Sequence, residues 1–247
     1  MNADNGRPRE RKLLLYATGE HSCSYLDRMA RTAFIDPEYP LNNDIYSSLL
    51  RKGMRRSGDF VYQPSCTGCN ACQSLRIPVA RFQPSRSQRR CWNRNQDVRV
   101  VTRPPSFDAE HFSLYHRYLA ARHPGSGMDD PQPERYMEFL TAHWAHTVFY
   151  EFRLGRELLG VAVTDLVTDG LSAVYTFFSP DHPQRGLGTF GILWQIREAE
   201  RLGLPHVYLG YWIAEAATMR YKTRFRPAEV FRSDRWEPLH DTSTPDG

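Results

Sequence analysis

Lysine is almost missing: three residues, Lys12, Lys52 and Lys222, stand against 29 arginines in 247 residues. A basic inventory made of planar forks suits bidentate contact with phosphate or carboxylate. Long apolar runs are missing too. No stretch approaches the ~18 residues of a membrane span, and the early run Leu13 to Tyr16 is far too short for a signal-peptide core. The chain is therefore expected in the cytoplasm, without a membrane partner. Cysteine is scarce, at five, and an odd number two residues apart speaks for thiols or metal ligands over a disulfide framework. The nine histidines are scattered; His143 and His146 flank Trp144 without ligand spacing, which leaves a metal hydrolase without support. No internal repeat or low-complexity tract is present.

What is there begins with a core: 40% apolar and 13% aromatic residues exclude disorder as the default. Charge is concentrated in residues 51 to 94, where ten Lys and Arg face the single acid Asp59. That segment holds +9 in a chain of net +4, the footprint of a surface that meets phosphates. The same segment carries Cys66-x-x-Cys69-x-x-Cys72. With Cys23 these thiols can complete a tetrahedral set for zinc or an iron–sulfur cluster in a structural or redox-sensing role. The competing reading is four free thiols clustered by accident.

Along the chain, residues 1 to 12 are expected to fray, and Asn43 or Asp44 to cap a helix through Ile45, Leu49 and Leu50. Short strands at 60–62 and 75–79 flank the cysteine loop. Ser85 caps a basic helix from Arg86 to about Asn95, and a strand follows at 98–102. Pro104-Pro105 is the candidate boundary between a basic, Cys-containing domain, 1–103, and a second domain, 104–247. The second domain opens on an amphipathic helix, 107–121, through Phe112, Tyr115, Tyr118 and Leu119. An irregular loop, 123–133, and a helix, 134–143, come next. A β-meander then runs over 147–154, 158–167 and 171–178, with a turn at Gly155-Arg156 and an Asp169-Gly170 turn suited to type I′. A helix at 190–202 and a strand at 206–210 complete an α/β (α+β) reading with a mixed, largely antiparallel sheet.

Pro183-Gln184-Arg185-Gly186-Leu187-Gly188 lies between strand and helix, where backbone N–H groups can hold an anion. This order resembles the central motif of the GNAT acyltransferases, which implies a GNAT-like fold and nominates Arg185, Gly186 and Gly188 for substrate binding. Pro183 departs from that motif, whose loop usually opens with Gln or Arg. The plain alternative is a helix-starting turn whose glycines allow close packing.

Five stretches, in this order, resemble one family: Cys23-Ser24-Tyr25-Leu26; Arg55-Arg56-Ser57-Gly58-Asp59-Phe60-Val61-Tyr62 with the Cys66 to Cys72 cluster; Pro84-Ser85-Arg86-Ser87-Gln88-Arg89-Arg90; Tyr208-Leu209-Gly210-Tyr211-Trp212-Ile213; and Met219-Arg220-Tyr221-Lys222. The family is that of the arginyl-tRNA–protein transferases, and the likeness is nearest to its short bacterial branch, the aspartate/glutamate leucyltransferases. It spans about residues 13 to 236. The longer eukaryotic members carry a second Cys where this chain has Leu26. The resemblance implies transfer of leucine from leucyl-tRNA to the N-terminal Asp or Glu of acceptor proteins, marking them for degradation, by a monomer that requires no cofactor for the step. An activated ester needs alignment and oxyanion relief, not a Ser or Cys nucleophile. Tyr211, Tyr221 and Lys222 are the expected catalytic groups and Trp212 an expected substrate contact. Arg55, Arg56, Arg86, Arg89 and Arg90 form the pool for the tRNA backbone and for the acidic terminus. An acetyl-CoA-dependent N-acetyltransferase of the same fold is the competing enzyme, and a zinc-knuckle nucleic-acid module the non-enzymatic one.

Overall fold

The computed structural model describes residues 13–122 and 132–240. The expected frayed start and all but the last two residues of the expected loop 123–133 lie outside them.

The first elements are short: β1 (Leu15–Ala17), β2 (His21–Ser22), β3 (Met29–Ala30) and β4 (Thr32–Ile35), then α1 (Asn43–Arg51), β5 (Arg55–Ser57) and β6 (Phe60–Pro64). They make a four-stranded sheet in the order β1-β4-β6-β5 and a two-stranded ribbon, β2-β3. The cap of α1 is Asn42, one residue earlier than expected, its side chain accepting from Ile45 N at 2.9 Å.

β7 (Gln73–Pro78), α2 (Arg86–Arg94), β8 (Arg99–Arg103), α3 (Ala109–Arg122), α4 (Pro133–Leu140), β9 (Thr147–Leu154), β10 (Glu157–Val167), β11 (Gly170–Phe178), α5 (Leu187–Arg201), β12 (His206–Trp212), β13 (Glu229–Arg232) and β14 (Arg235–Pro238) follow. Eight of these strands form one sheet, ordered β14-β13-β7-β12-β11-β10-β9-β8 and antiparallel except at β11–β12. The α/β reading and the largely antiparallel sheet are what the chain adopts. The expected division at 104 does not separate two sheets, however: β8 is an edge strand of the large sheet, and β7 pairs with β12 on one side and β13 on the other. The reason is visible in β7 itself, whose Leu75 and Ile77 are fully buried and need neighbours on both sides. Pro104-Pro105 ends a strand, not a domain.

Both faces of the large sheet are covered. On one, α5 and α2 pack over Leu75, Phe152, Ala162 and Val207; on the other, α3 and α4 pack over Phe149, Val161, Val163 and Phe177. β10 therefore reads as a continuous apolar run, as strands buried on both sides do. Adjacent Leu158 and Leu159 face opposite cores by ordinary alternation, and the bulge between Leu158 and Gly160 shifts the phase, so that Val161 joins the core of Leu158 and not that of Leu159. Each fully buried Leu or Phe contributes ~1.5–3 kcal/mol, so these two layers carry most of the stability.

The turn before Gly170 is not type I′. Thr168 and Asp169 occupy it, and neither has the positive φ that type I′ needs. Gly170 serves close approach instead: a Cβ there would stand 2.5 Å from the His206 carbonyl on β12. Positive φ at two successive residues occurs where no expectation was formed, at Ser233 and Asp234 between β13 and β14.

Candidate active site

The parallel pairing of β11 and β12 lasts three residues, Gly170–Ser172 against His206–Tyr208. Beyond it the strands part, and a side chain from the small sheet enters the gap. Arg55 of β5 donates from Nη2 to the Val174 carbonyl of β11 at 3.2 Å, and its guanidinium lies flat against β12 at Gly210. A Cβ at Gly210 would sit 2.1 Å from Nη1, and Gly210 has φ +72, so only glycine admits this approach.

Aromatic and basic groups surround the gap. Tyr211 is buried, its ring 5.9 Å from that of Tyr62 and its hydroxyl donating to the Tyr62 carbonyl at 3.1 Å. Burial, with Tyr62 close by, drives that phenol upward, so it stays a neutral donor. Lys222 is buried as well, its Nζ donating to the Tyr211 carbonyl. Burial brings its ammonium down to about 7, with the Arg55 charge adding to the effect. Tyr221 is different: it is 46% exposed, makes no hydrogen bond among the described residues, and stands in reach of the Arg55 charge. Of the three expected catalytic groups, Tyr221 alone presents a free polar end. Tyr211 and Lys222 act beneath it, tying β6, β12 and the 3-10 segment Ala217–Arg224 together.

Tyr221 also lines a cleft of about 290 Å³ with Ser87, Arg90, Cys91 and Arg94 of α2, Gly186 and Thr189 at the start of α5, and Arg224. The α2 side is one helix face at spacing i, i+3, i+4, i+7. Ser85 sets that helix, in a reciprocal capping box with Gln88. Gly186 caps α5 at φ +65 and the cleft opens onto the first turn of that helix, whose dipole favours an anion.

The remaining sequence-nominated residues divide. Arg90 and Gly186 line the cleft. Arg86 and Arg89 are exposed on α2 but outside the cleft lining, and Arg89 donates back to the Pro84 carbonyl. Arg185 is already engaged: its Nη1 and Nη2 each donate at 2.9 Å to one Asp97 oxygen, clamping the glycine turn to the end of α2. Gly188 packs against the Phe178 ring, 3.0 Å from a notional Cβ, as the close-packing alternative expects. Trp212 is a core residue whose buried Nε1 has no partner among the described residues. Arg56 is 3% exposed and turned inward, Nε and Nη2 each 2.6 Å from an Asp165 oxygen, so it cannot meet a substrate.

Reasoning from sequence passed over Arg94, Arg224 and Thr189. Helical spacing from Arg90 would have found Arg94; nothing local connects Arg224 to α2.

The four thiols share one neighbourhood. Cys66 Sγ is 3.4 Å from Arg31 N, Cys69 Sγ accepts from Arg28 at 3.4 Å, and Cys72 is pushed up to about 11 by burial and by Cys23, Cys66 and Cys69. Among the described residues no three His, Cys, Asp or Glu are arranged to hold a metal ion. No helix among them is long and apolar enough to cross a membrane.

Residues 21–90 match the family described as arginine-tRNA-protein transferase, N terminus, and residues 110–232 its C-terminus counterpart. A protein of Alkalilimnicola ehrlichii named aspartate/glutamate leucyltransferase is 57% identical over 228 residues, covering 92% of this chain and 95% of its own. One of the same name from Nitrosococcus oceani is 52% identical over 229 residues, 92% and 96% of the two chains. The solved structure of L-PGS from Bacillus licheniformis aligns at a TM-score of 0.48 and 12% identity, over 67% of this chain and 61% of that one, too slight a likeness to build on.

Proposed function

The chain belongs to the arginine-tRNA–protein transferase family, and from that premise we propose that it moves leucine from leucyl-tRNA to the α-amino group of proteins or peptides beginning with Asp or Glu. The observation that carries the reading is the place of Tyr221, which stands on the wall of a cleft with Arg90, Arg94 and Arg224 and also within electrostatic reach of Arg55. The exposed arginines and the first turn of α5 suit the phosphates near the tRNA 3′ end. An acetyl-CoA enzyme of this fold has no need of a basic helix beside its glycine turn.

In the reaction the acceptor amine attacks the ester carbonyl carbon, the C–N bond forms, the C–O bond to the terminal ribose breaks, and the amine proton ends on the ribose oxygen. With a pKa near ~7.7–8.0, a good share of α-amino groups is already neutral at pH 7.5, so the protein's work is alignment. In this reading Tyr221 donates to the ester oxygen as charge develops there. Tyr211 and Lys222 hold the strand and 3-10 segment that position it.

The test is transfer of labelled leucine to peptides beginning with Asp, Glu or Ala. Labelling of the first two and not the third is expected; equal labelling of all three overturns acidic selection, and labelling from arginyl-tRNA instead of leucyl-tRNA overturns the donor. The cleft makes a second prediction. In the double variant Arg90→Ala, Arg94→Ala the slope of log K against log salt for leucyl-tRNA binding falls by about 1.5, the loss of two phosphate contacts. Arg86→Ala with Arg89→Ala changes that slope less. Equal effects of the two pairs would mean that the cleft is not the phosphate path.

A further inference from the structure

Four other arginines drawn in from solvent have a carboxylate. Arg56 has Asp165, Arg76 has Glu229, Arg153 has Glu151 and Glu110, and Arg185 has Asp97. Arg55 is half-buried, and no acid lies within ion-pair distance of it among the described residues; its hydrogen-bond partner is the neutral Val174 carbonyl. Lys222 is buried close by with a carbonyl partner of its own and no acid either. A guanidinium drawn out of water without a counter-charge is costly, and buried charges are ordinarily paired; Lys222 answers the same pressure by giving up its proton more readily. An anion brought by a ligand would supply the partner that Arg55 lacks.

Phosphate and carboxylate compete for that role, and the surroundings favour carboxylate. Arg90 and Arg94 are exposed on the cleft wall, where phosphate would meet them, whereas Arg55 sits between two strands with Tyr25, Tyr211 and Tyr221 near its charge. An exposed arginine separates a charged side chain from its neutral isostere poorly, because water screens it. An enclosed fork does so well, since a neutral occupant leaves the guanidinium unmatched.

We propose that Arg55 is the specificity-determining residue that receives the side-chain carboxylate of the acceptor's N-terminal Asp or Glu, in the gap between β11 and β12. The assignment rests on the leucyl-transfer reading above and deepens it. Gly210 is then part of the same device, since any side chain there would displace the guanidinium.

The experiment compares kcat/KM for leucine transfer to peptides that differ only in a first residue of Asp, Asn, Glu or Gln, using wild type, Arg55→Gln and Arg55→Lys, with leucyl-tRNA binding measured alongside. In Arg55→Gln the Asp-over-Asn and Glu-over-Gln ratios are expected to fall about ten- to a hundredfold, the scale of a charge-assisted hydrogen bond, while leucyl-tRNA affinity holds. Arg55→Lys keeps the charge but not the fork and is expected to fall between. Unchanged ratios in a folded variant overturn the assignment and leave the transfer reading intact; so does a loss of leucyl-tRNA affinity with the ratios kept, which would make Arg55 a phosphate contact. Should Arg55→Gln fail to fold, a wild-type ratio in Arg55→Lys is the overturning result. A wild type without preference for acidic peptides removes the transfer reading and this inference together.

Discussion

Replacing Arg56 with Met is expected to lower the free energy of unfolding by about 3–5 kcal/mol, the cost of stranding one member of a buried ion pair. Asp165 would be the stranded member. It is fully buried on β10, and besides Arg56 it accepts from Thr147 at 2.7 Å and from the Tyr46 hydroxyl at 3.0 Å. Arg56 further donates to the Leu140 carbonyl at 2.9 Å, so one side chain joins β5 to β10 and the end of α4. Arg56→Met with Asp165→Leu should recover a substantial part of the loss, because an apolar pair needs no counter-charge. Urea denaturation of the two single variants and the double variant measures this. A single-variant loss under about 1 kcal/mol would mean that water or a rearranged neighbour satisfies Asp165. Because Arg56 lies next to Arg55, the same anchor holds the acid-reading arginine in its gap, and activity in Arg56→Met should fall with stability.

The second large effect is acid lability through Glu151. Burial alone would raise its carboxyl, but the hydrogen bonds and charges of Arg153 and His111 win and bring it down to about 2. The geometry agrees: Arg153 Nε donates at 2.6 Å, and His111 Nε2 lies 2.8 Å from the other oxygen. A carboxyl whose pKa is lower in the folded chain than in the unfolded one binds fewer protons when folded. Its stabilisation is complete above pH ~4.5 and is lost as pH falls toward 2, about 3 kcal/mol in all. Thermal melting between pH 6 and 2.5 should show the decline, and Glu151→Gln should start lower at neutral pH and run flatter. Parallel pH curves for the two proteins would exclude Glu151 as the source.

Much of the fold could be read from the chain. Ser85 marked the start of α2, and the strand expected at 158–167 is β10 to within one residue. The expected bounds of β9, 147–154, coincide with the strand. Other elements were hidden. β13 and β14 are four residues each and turn at Ser233-Asp234, which lacks the Asn-Gly signature of such turns. The boundary at 104 misled because two prolines report only on their own backbone, whereas the sheet is closed by contacts between β7 and β12, more than a hundred residues apart.

The concentration of positive charge in residues 51 to 94, the glycine turn before α5 and the family motifs were determined by sequence alone, since composition and local propensity are properties of neighbouring residues. Which arginine does what was decided only by the tertiary structure. Arg55 and Arg56 are adjacent and chemically identical, yet strand alternation sends one into the gap between β11 and β12 and the other onto Asp165. Charge is written in the sequence; desolvation and the presence of a partner are set by chain segments far away, and those two quantities separate an anchor from a reader.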